Sequence, residues 1–265
     1  MQEITTGVKK EALDKMVSEG VVNRILYKYR EDGKDTEKIF TEKSLWFSHP
    51  SAFNDPFDCW ANIQSFDKKS LTKALKQRNL NDKNKSRIIE AGMRSFTTLD
   101  LKKCIDSVLN QIGVCCFSKT FKSILMWSHY AHFHQGICLE FDILKDPNFF
   151  CFAMPVNYSN AMPKFNYPID SDEIIKKVIQ PKSAEWKYEE EVRIIKRQSD
   201  IECNGKQSFA FNPAALKKVI FGCKAHKTDI EKYKNLCKKN GFKHVTFTQM
   251  HQKANGSFEL EEKAV

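Results

Sequence analysis

The chain has 265 residues, 41% of them hydrophobic and 20 of them Phe, which is enough apolar material for a globular core. No run approaches the roughly 20 apolar residues that cross a bilayer, and the mixed-charge start "MQEITTGVKKEALDKM" is no secretory signal, so a soluble, cytoplasmic protein without a membrane role is expected. The net charge of +10 points to an anionic partner, while nine irregularly spaced cysteines without a CxxC pair give little support to a zinc ribbon or disulfide framework and suggest buried, reduced thiols.

In chain order, "EALDKMV" reads as a short helix and "RILYKYR" (Arg24–Arg30) as a strand rich in β-formers. "SLWFSHP" (Ser44–Pro50) is a second strand stopped by Pro50, followed by the turn chemistry of "NDP". Residues 67–110 are polar with helical period, two or three helices linked near "NLNDKNKS". The near-continuous apolar run "GVCCFS" from Gly113 is a central strand covered on both faces. In "SILMWSHYAHFHQG" Met126, Trp127 and Tyr130 fall at helical spacing, with Ser123 as cap and Gly136 as stop. "GICLEFD" and "FFCFAMPVNYS" are strands, the latter broken by Pro155. "DSDEIIKKVI" is a helix with acidic residues in its first turn, and "WKYEEEVRIIKR" passes from a bend into a strand. Towards the C-terminus "KKVIFG" is a strand, "TDIE" (Thr228–Glu231) a capping box, and Ile230, Tyr233, Leu236 and Cys237 one helical stripe ended by Gly241. With the strand "KHVTF" this forms a βαβ crossover with parallel strands. The expectation is one α+β domain over residues 1–248, with 67–110 inserted as a basic helical segment and 249–265 a loose tail.

The positive charge is concentrated. Residues 67–87 hold eight Lys or Arg against two Asp, and residues 217–243 nine Lys against two acids. A nucleic acid or an acidic protein is the kind of partner these segments would meet, although lysines without interleaved aromatics also make a plain solvated surface.

Several constellations bear on chemistry. His129 and His132 stand three apart on the helix and could chelate, yet no HExxH pattern or partner spacing accompanies them, so no metal is assigned. No GxGxxG, Walker loop or GxSxG elbow occurs, and nothing local supports Cys116 as a nucleophile. In "YEEEV" an extended chain turns Glu189 and Glu191 to one face and Glu190 to the other. Two such carboxylates can hold a ribose hydroxyl and stabilise an oxocarbenium-like cation; a solvated edge with Arg193 as partner is the plain alternative. In "LYKYR" Tyr27 and Tyr29 share one face, Lys28 and Arg30 the other. Arg30 can fork onto a phosphate and a tyrosine can stack on a ring; Leu26 and both tyrosines as core, with Arg30 on the surface, is the plain alternative. "FNDPFDC" (Phe53–Cys59) reads as a pocket wall, a structural turn or a metal site, with Asp55 and Asp58 pinning backbone amides or Arg30, and Phe53 and Phe57 anchored in the core.

Taken together, "LYKYR", "LWFSHPSAFNDPFDC", "GVCCFSKT", "ILMWSHYAHFHQGICLEFD", "KSAEWKYEEEVRII" and "LKKVIFG" resemble the bacterial domain-of-unknown-function family DUF2971, over about Ile25 to Gly222. A more distant likeness is to the ADP-ribosyltransferases: an aromatic strand ending in Arg, a strand carrying Ser, and an ExE strand. That likeness implies a curved, split mixed β-sheet binding NAD as substrate. It implies Arg30 as the phosphate-holding arginine, Ser118 or its rival Ser48 as the bracing serine, Glu191 as the catalytic glutamate and Glu189 as the first carboxylate of the pair. Tyr27, Tyr29, Asn54, Asp55, Trp127, His129, Tyr130 and Lys182 complete the expected cofactor pocket, with Lys182 assisting Arg30 on the pyrophosphate. FSKT stands where Ser-Thr-Ser is expected of that pattern. The function so implied is an NAD-consuming transferase or glycohydrolase in a toxin or phage-defence setting. The alternatives are a non-catalytic nucleic-acid-binding module and a metal-dependent nuclease using Asp55, Asp58 and the glutamates. The catalytic reading requires that Arg30 and Glu191 face one hollow.

Overall fold

The computed structural model describes residues 5–64, 69, 72, 75–76, 81–95, 98–166, 173–254 and 256–265. Among these the strands are β1 Ile25–Arg30, β2 Ser44–Trp46, β3 Asn62–Gln64, β4 Ile112–Ser118, β5 Ile137–Asp142, β6 Met154–Pro155, β7 Asn157–Ser159, β8 Lys164–Asn166, β9 Pro181–Ser183, β10 Glu191–Arg197, β11 Ser208–Ala210, β12 Leu216–Phe221, β13 Thr246–Gln252 and β14 Leu260–Ala264. The α-helices are α1 Thr6–Ser18, α2 Lys34–Thr41, α3 Asp82–Ser95, α4 Thr98–Leu109, α5 Ile124–Tyr130, α6 Pro147–Phe150, α7 Gln198–Asn204 and α8 Lys227–Lys239. The chain divides into two units, one of residues 1–47, 114–155 and 187–265, the other of residues 48–113 and 156–186. The expected 67–110 insert is thus part of a larger second unit.

The first unit is built on a mixed sheet of eight strands in the order β14-β13-β12-β5-β1-β4-β10-β6. It is one continuous ladder, where the likeness to transferases implies a split sheet; the α+β class holds. β1 lies antiparallel between β4 and β5, with Tyr27 opposite Ser118 and Glu140. β12 and β13 are parallel, joined through α8, as the C-terminal pattern predicts.

Alternation along the strands sorts the side chains into two cores. Leu26 on β1, Cys115 and Phe117 on β4, Leu139 and Phe141 on β5, and Val192 and Ile194 on β10 join one large cluster. Its Phe rings meet edge to face or tilted, Phe117 with Phe141 at 5.7 Å and Phe141 with Phe211 at 5.3 Å. The opposite face carries a smaller cluster of Tyr29, Met126, Trp127, Ala131, Cys138, Ile220 and Met250. The cysteines whose side chains are described are all free thiols.

Several elements differ from the expectation. α2 has no foreseen counterpart; its eight residues form too short a stretch to declare a period. α5 ends at Tyr130 rather than running to Gly136, because His132, Phe133 and His134 take φ of 45, 53 and 70°. His132 therefore leaves the helix, and no shared face with His129 exists. This left-handed turn is backed closely by two glycines. A Cβ on Gly222 would stand 2.0 Å from the His134 carbonyl oxygen, and one on Gly136 would stand 2.3 Å from that of Arg30. Phe149 and Phe150 belong to α6, capped by Asp146, not to a strand. α8 begins at Lys227 after His226, without a side-chain cap, so Thr228 is inside the helix and the expected capping box is absent. Residues 249–265 are no loose tail: β13 and β14 pair from Thr248 with Ala264 to Gln252 with Leu260, and Glu262 accepts from Thr248 and Lys218.

In the second unit β3 pairs with β8 and β7 with β9, both parallel. Helices α3 and α4 confirm the helical reading for their part of 67–110, while much of 67–80 lies outside the described residues. Of the helix expected over "DSDEIIKKVI", a π-helical turn at Ile175–Ile179 is present, and its acidic start, residues 170–172, falls outside them.

Candidate active site

The tip of the turn before β10 is held by several polar contacts within the first unit. Residues Ala184–Glu189 form a 3-10 helix, Glu190 takes φ 45°, and β10 then starts at Glu191. The chain is not extended through the acidic triplet, so Glu189 and Glu191 do not share a face by strand alternation. Glu189, only 4% exposed, receives the Tyr130 hydroxyl on Oε1 at 2.5 Å. Its carbonyl accepts the Ser118 hydroxyl at 2.6 Å, and Ser118 Oγ accepts from Thr120 N at 3.1 Å. The Glu190 carbonyl accepts from Lys119 N at 3.0 Å. β4 and its following turn thus clamp the acidic corner through one buried hydroxyl and one amide, and α5 adds the phenol.

Beside this pair stands a second. His129 Nδ1 lies 3.0 Å from the Tyr188 hydroxyl, and the two rings meet at 70° with centroids 5.9 Å apart. His129 is exposed and Tyr188 half-buried. Ser118, His129, Tyr130, Tyr188 and Glu189 therefore form one polar cluster within a single unit, with a proton-carrying pair next to a positioned carboxylate. Tyr188 escaped the sequence reading because an aromatic between Trp186 and the acidic triplet gives no period of its own.

Glu191 is placed differently. Arg193 grips it from the same strand, Nε to Oε1 at 2.7 Å and a terminal nitrogen to Oε2 at 3.0 Å, with Glu191 5% and Arg193 0% exposed. The residues are two apart, so alternation puts them on one face, and the bidentate fork occupies both carboxylate oxygens. The expected assignment of Glu191 as the group facing a substrate cation is corrected: it is a buried, compensated charge. Next to it the half-buried Cys116 thiol is pushed up by burial first and by the Glu191 charge second, the direction that lowers its thiolate fraction.

Arg30 is also displaced from the expected hollow. Leu26, Lys28 and Arg30 alternate with Tyr27 and Tyr29, and Leu26 is in the large core while Tyr29 is in the small one. On β10, Val192 and Ile194 face the large core, so Glu191 and Arg193 point the other way. Arg30 and Glu191 occupy opposite faces of the sheet. The ring candidates divide likewise. Trp127 is fully buried, donates its indole N–H to the Phe121 carbonyl at 2.7 Å and meets Tyr29 edge-on at 5.1 Å. Tyr29 is 7% exposed and donates to the Thr120 carbonyl. Both are core, not stacking platforms. Tyr27 is half-buried against Phe121. Phe121 in turn lines a cavity of about 680 Å³ with Ser123, Met250, Phe258 and Glu262.

The remaining expected residues, Ser48, Asn54, Asp55 and Lys182, belong to the second unit. There "FNDPFDC" is a turn: Asp55 accepts from Phe57 N at 2.9 Å and Asp58 from Cys59 N at 2.8 Å. Phe57 is 65% exposed and anchors nothing. Lys182 is not a free phosphate ligand, since its ammonium lies 3.4 Å from the buried Asp58 carboxylate and over the Trp186 ring. Among the described residues no group of His, Cys, Asp or Glu has the arrangement to hold a metal ion, and no helix is long and apolar enough to cross a membrane.

Neither the curated proteins nor the solved structures contain a match to this chain. Residues 126–194, the stretch that contributes His129, Tyr130, Tyr188, Glu189 and the Glu191–Arg193 pair, match the family model described as protein of unknown function (DUF2971).

Proposed function

We propose that the protein is an NAD-consuming enzyme of ADP-ribosyltransferase-like chemistry whose reacting groups are Glu189, Tyr130, His129 and Tyr188. The observation that carries the reading is the Glu189 carboxylate held by the Tyr130 phenol at 2.5 Å with the His129–Tyr188 pair next to it in the chain. In cleavage of the nicotinamide–ribose bond the bonding electrons leave with the ring nitrogen, which loses its positive charge. The ribosyl carbon becomes an oxocarbenium-like cation, and a fixed carboxylate stabilises it. An incoming hydroxyl then bonds to that carbon and its proton passes to His129, with Tyr188 holding the imidazole. Tyr27 and the cavity beyond Phe121 would take the part of the dinucleotide remote from the reaction. Ser118 acts as the bracing serine by fixing the Glu189 backbone. The acceptor is an anionic macromolecule, supported by Lys217, Lys224, Lys227, Lys238, Lys239 and Lys243, which make no ion pair among the described residues while Lys218, Lys232 and Lys234 do.

The test is incubation of the full chain with NAD, with and without a nucleic acid, an acidic protein and a chelator, following nicotinamide release and strand integrity. Nicotinamide release that falls about 100-fold in Glu189→Gln, at unchanged circular dichroism, supports the reading. Absence of release under every condition, or release by Glu189→Gln at the parent rate, overturns it. Salt-sensitive binding without NAD turnover would favour a plain nucleic-acid-binding module, and chelator-sensitive strand cleavage a nuclease.

A further inference from the structure

The opposite face of the sheet holds a second cavity, of about 400 Å³, lined by residues of β1, α2, β2 and β11. Its size falls in the range of small-molecule sites, roughly 300–1,000 Å³. Four cations and two acids border it. Lys38 pairs with Asp35 at 2.7 Å and Lys206 with Glu42 at 3.8 Å, so these four charges cancel in pairs. Lys28 and Arg30 make no ion pair among the described residues, although Lys28 lies over the Phe117 ring at 5.3 Å and Asp35 feels the Arg30 charge. Lys28 spends one donor on the Cys116 carbonyl at 3.0 Å. Arg30 donates Nε to Thr36 Oγ1 at 3.3 Å, and Thr36 is itself tied to the Glu31 carbonyl at 2.8 Å. The guanidinium is thereby oriented, while its two terminal nitrogens have no described partner. Trp46 adds an indole that is 55% exposed. It stands on the border of the half-buried cavity.

We infer that this cavity is a binding site for a phosphorylated aromatic ligand of the nucleoside monophosphate class. The terminal fork of Arg30 and the Lys28 ammonium take the phosphate, and the Trp46 face takes the base. The site is distinct from the Tyr130–Glu189 cluster, being on the other face of the sheet, and does not depend on the catalytic proposal. Calorimetric titration of the full chain with the four 5′-monophosphates, with inorganic phosphate and with adenosine tests it. At least one monophosphate should bind at least about tenfold tighter than phosphate or adenosine, the gain expected when one charged and one stacking contact act together. Arg30→Gln should lose at least tenfold and Trp46→Leu severalfold, while Tyr130→Phe binds as the parent does. Trp46 is exposed, so its replacement leaves the fold intact and keeps the test valid if Arg30→Gln is unstable. No monophosphate binding tighter than phosphate, parent-like binding in Trp46→Leu, or loss of binding in Tyr130→Phe would each overturn the assignment.

Discussion

Glu191→Gln separates a structural role from a catalytic one. Arg193 is fully buried and Glu191 nearly so, and their two hydrogen bonds of 2.7 and 3.0 Å are the bidentate kind. Removing one charge of a buried pair leaves the other in a poorly solvating interior, at a typical cost of about 3–5 kcal/mol. Glutamine keeps one acceptor oxygen for the guanidinium, so the low end, about 3 kcal/mol, is expected. That loss is a large share of the roughly 5–15 kcal/mol stability of a folded protein. Replacing both partners, as in Glu191→Leu with Arg193→Met, removes the stranded charge, and the double variant should recover to within about 1 kcal/mol of the parent. Urea unfolding followed by circular dichroism reads both values. A Glu191→Gln midpoint equal to the parent's, or a double variant no more stable than the single one, would refute the claim that this pair is a compensated interior charge.

Other outcomes follow from the same geometry. Tyr130→Phe removes the phenol from Glu189 and should cost about 1–2 kcal/mol in urea unfolding, along with a fall in any nicotinamide release. Gly222→Ala forces a methyl to within 2.0 Å of the His134 carbonyl oxygen, a backbone atom that cannot swing aside, and should lower the melting temperature by several degrees or prevent folding. His134 Nδ1 is buried without a partner among the described residues, and burial followed by Lys224 holds the imidazole below its usual pKa. A depressed folded value means that its contribution is fully present above the unfolded value of about 6.5 and is lost as pH falls through the folded one. The urea midpoint should therefore drop on acidification below about pH 6.5, and less so in His134→Asn; an equal drop in that variant would show that other groups cause it.

The fold was legible where a single physical signal decided an element. β4 read as a buried strand because its apolar run is nearly unbroken, and α8 between β12 and β13 read as a crossover from its stripe of Ile230, Tyr233, Leu236 and Cys237. The hairpin β13–β14 was not legible, since "LEEKA" has three consecutive charged residues and no alternation, and its order depends on Glu262 meeting Lys218 and Thr248 from other strands. The site shows the same divide. Ser118, His129, Tyr130 and Glu189 could be singled out by residue type, and they do meet. Their grouping with Tyr188 rests on a 3-10 turn and a left-handed Glu190 that break the alternation on which the pairing of Glu189 with Glu191 was argued. The expectation for Arg30 failed on strand parity: residue 30 shares a face with Leu26, and the large core claims that face.

The most direct measurement compares nicotinamide release, per folded molecule, between Glu189→Gln and the double variant Glu191→Leu with Arg193→Met. The account predicts a fall of about 100-fold in the first and a rate within a few-fold of the parent in the second. A double variant as inactive as Glu189→Gln, or a Glu189→Gln enzyme that turns over NAD like the parent, would contradict it.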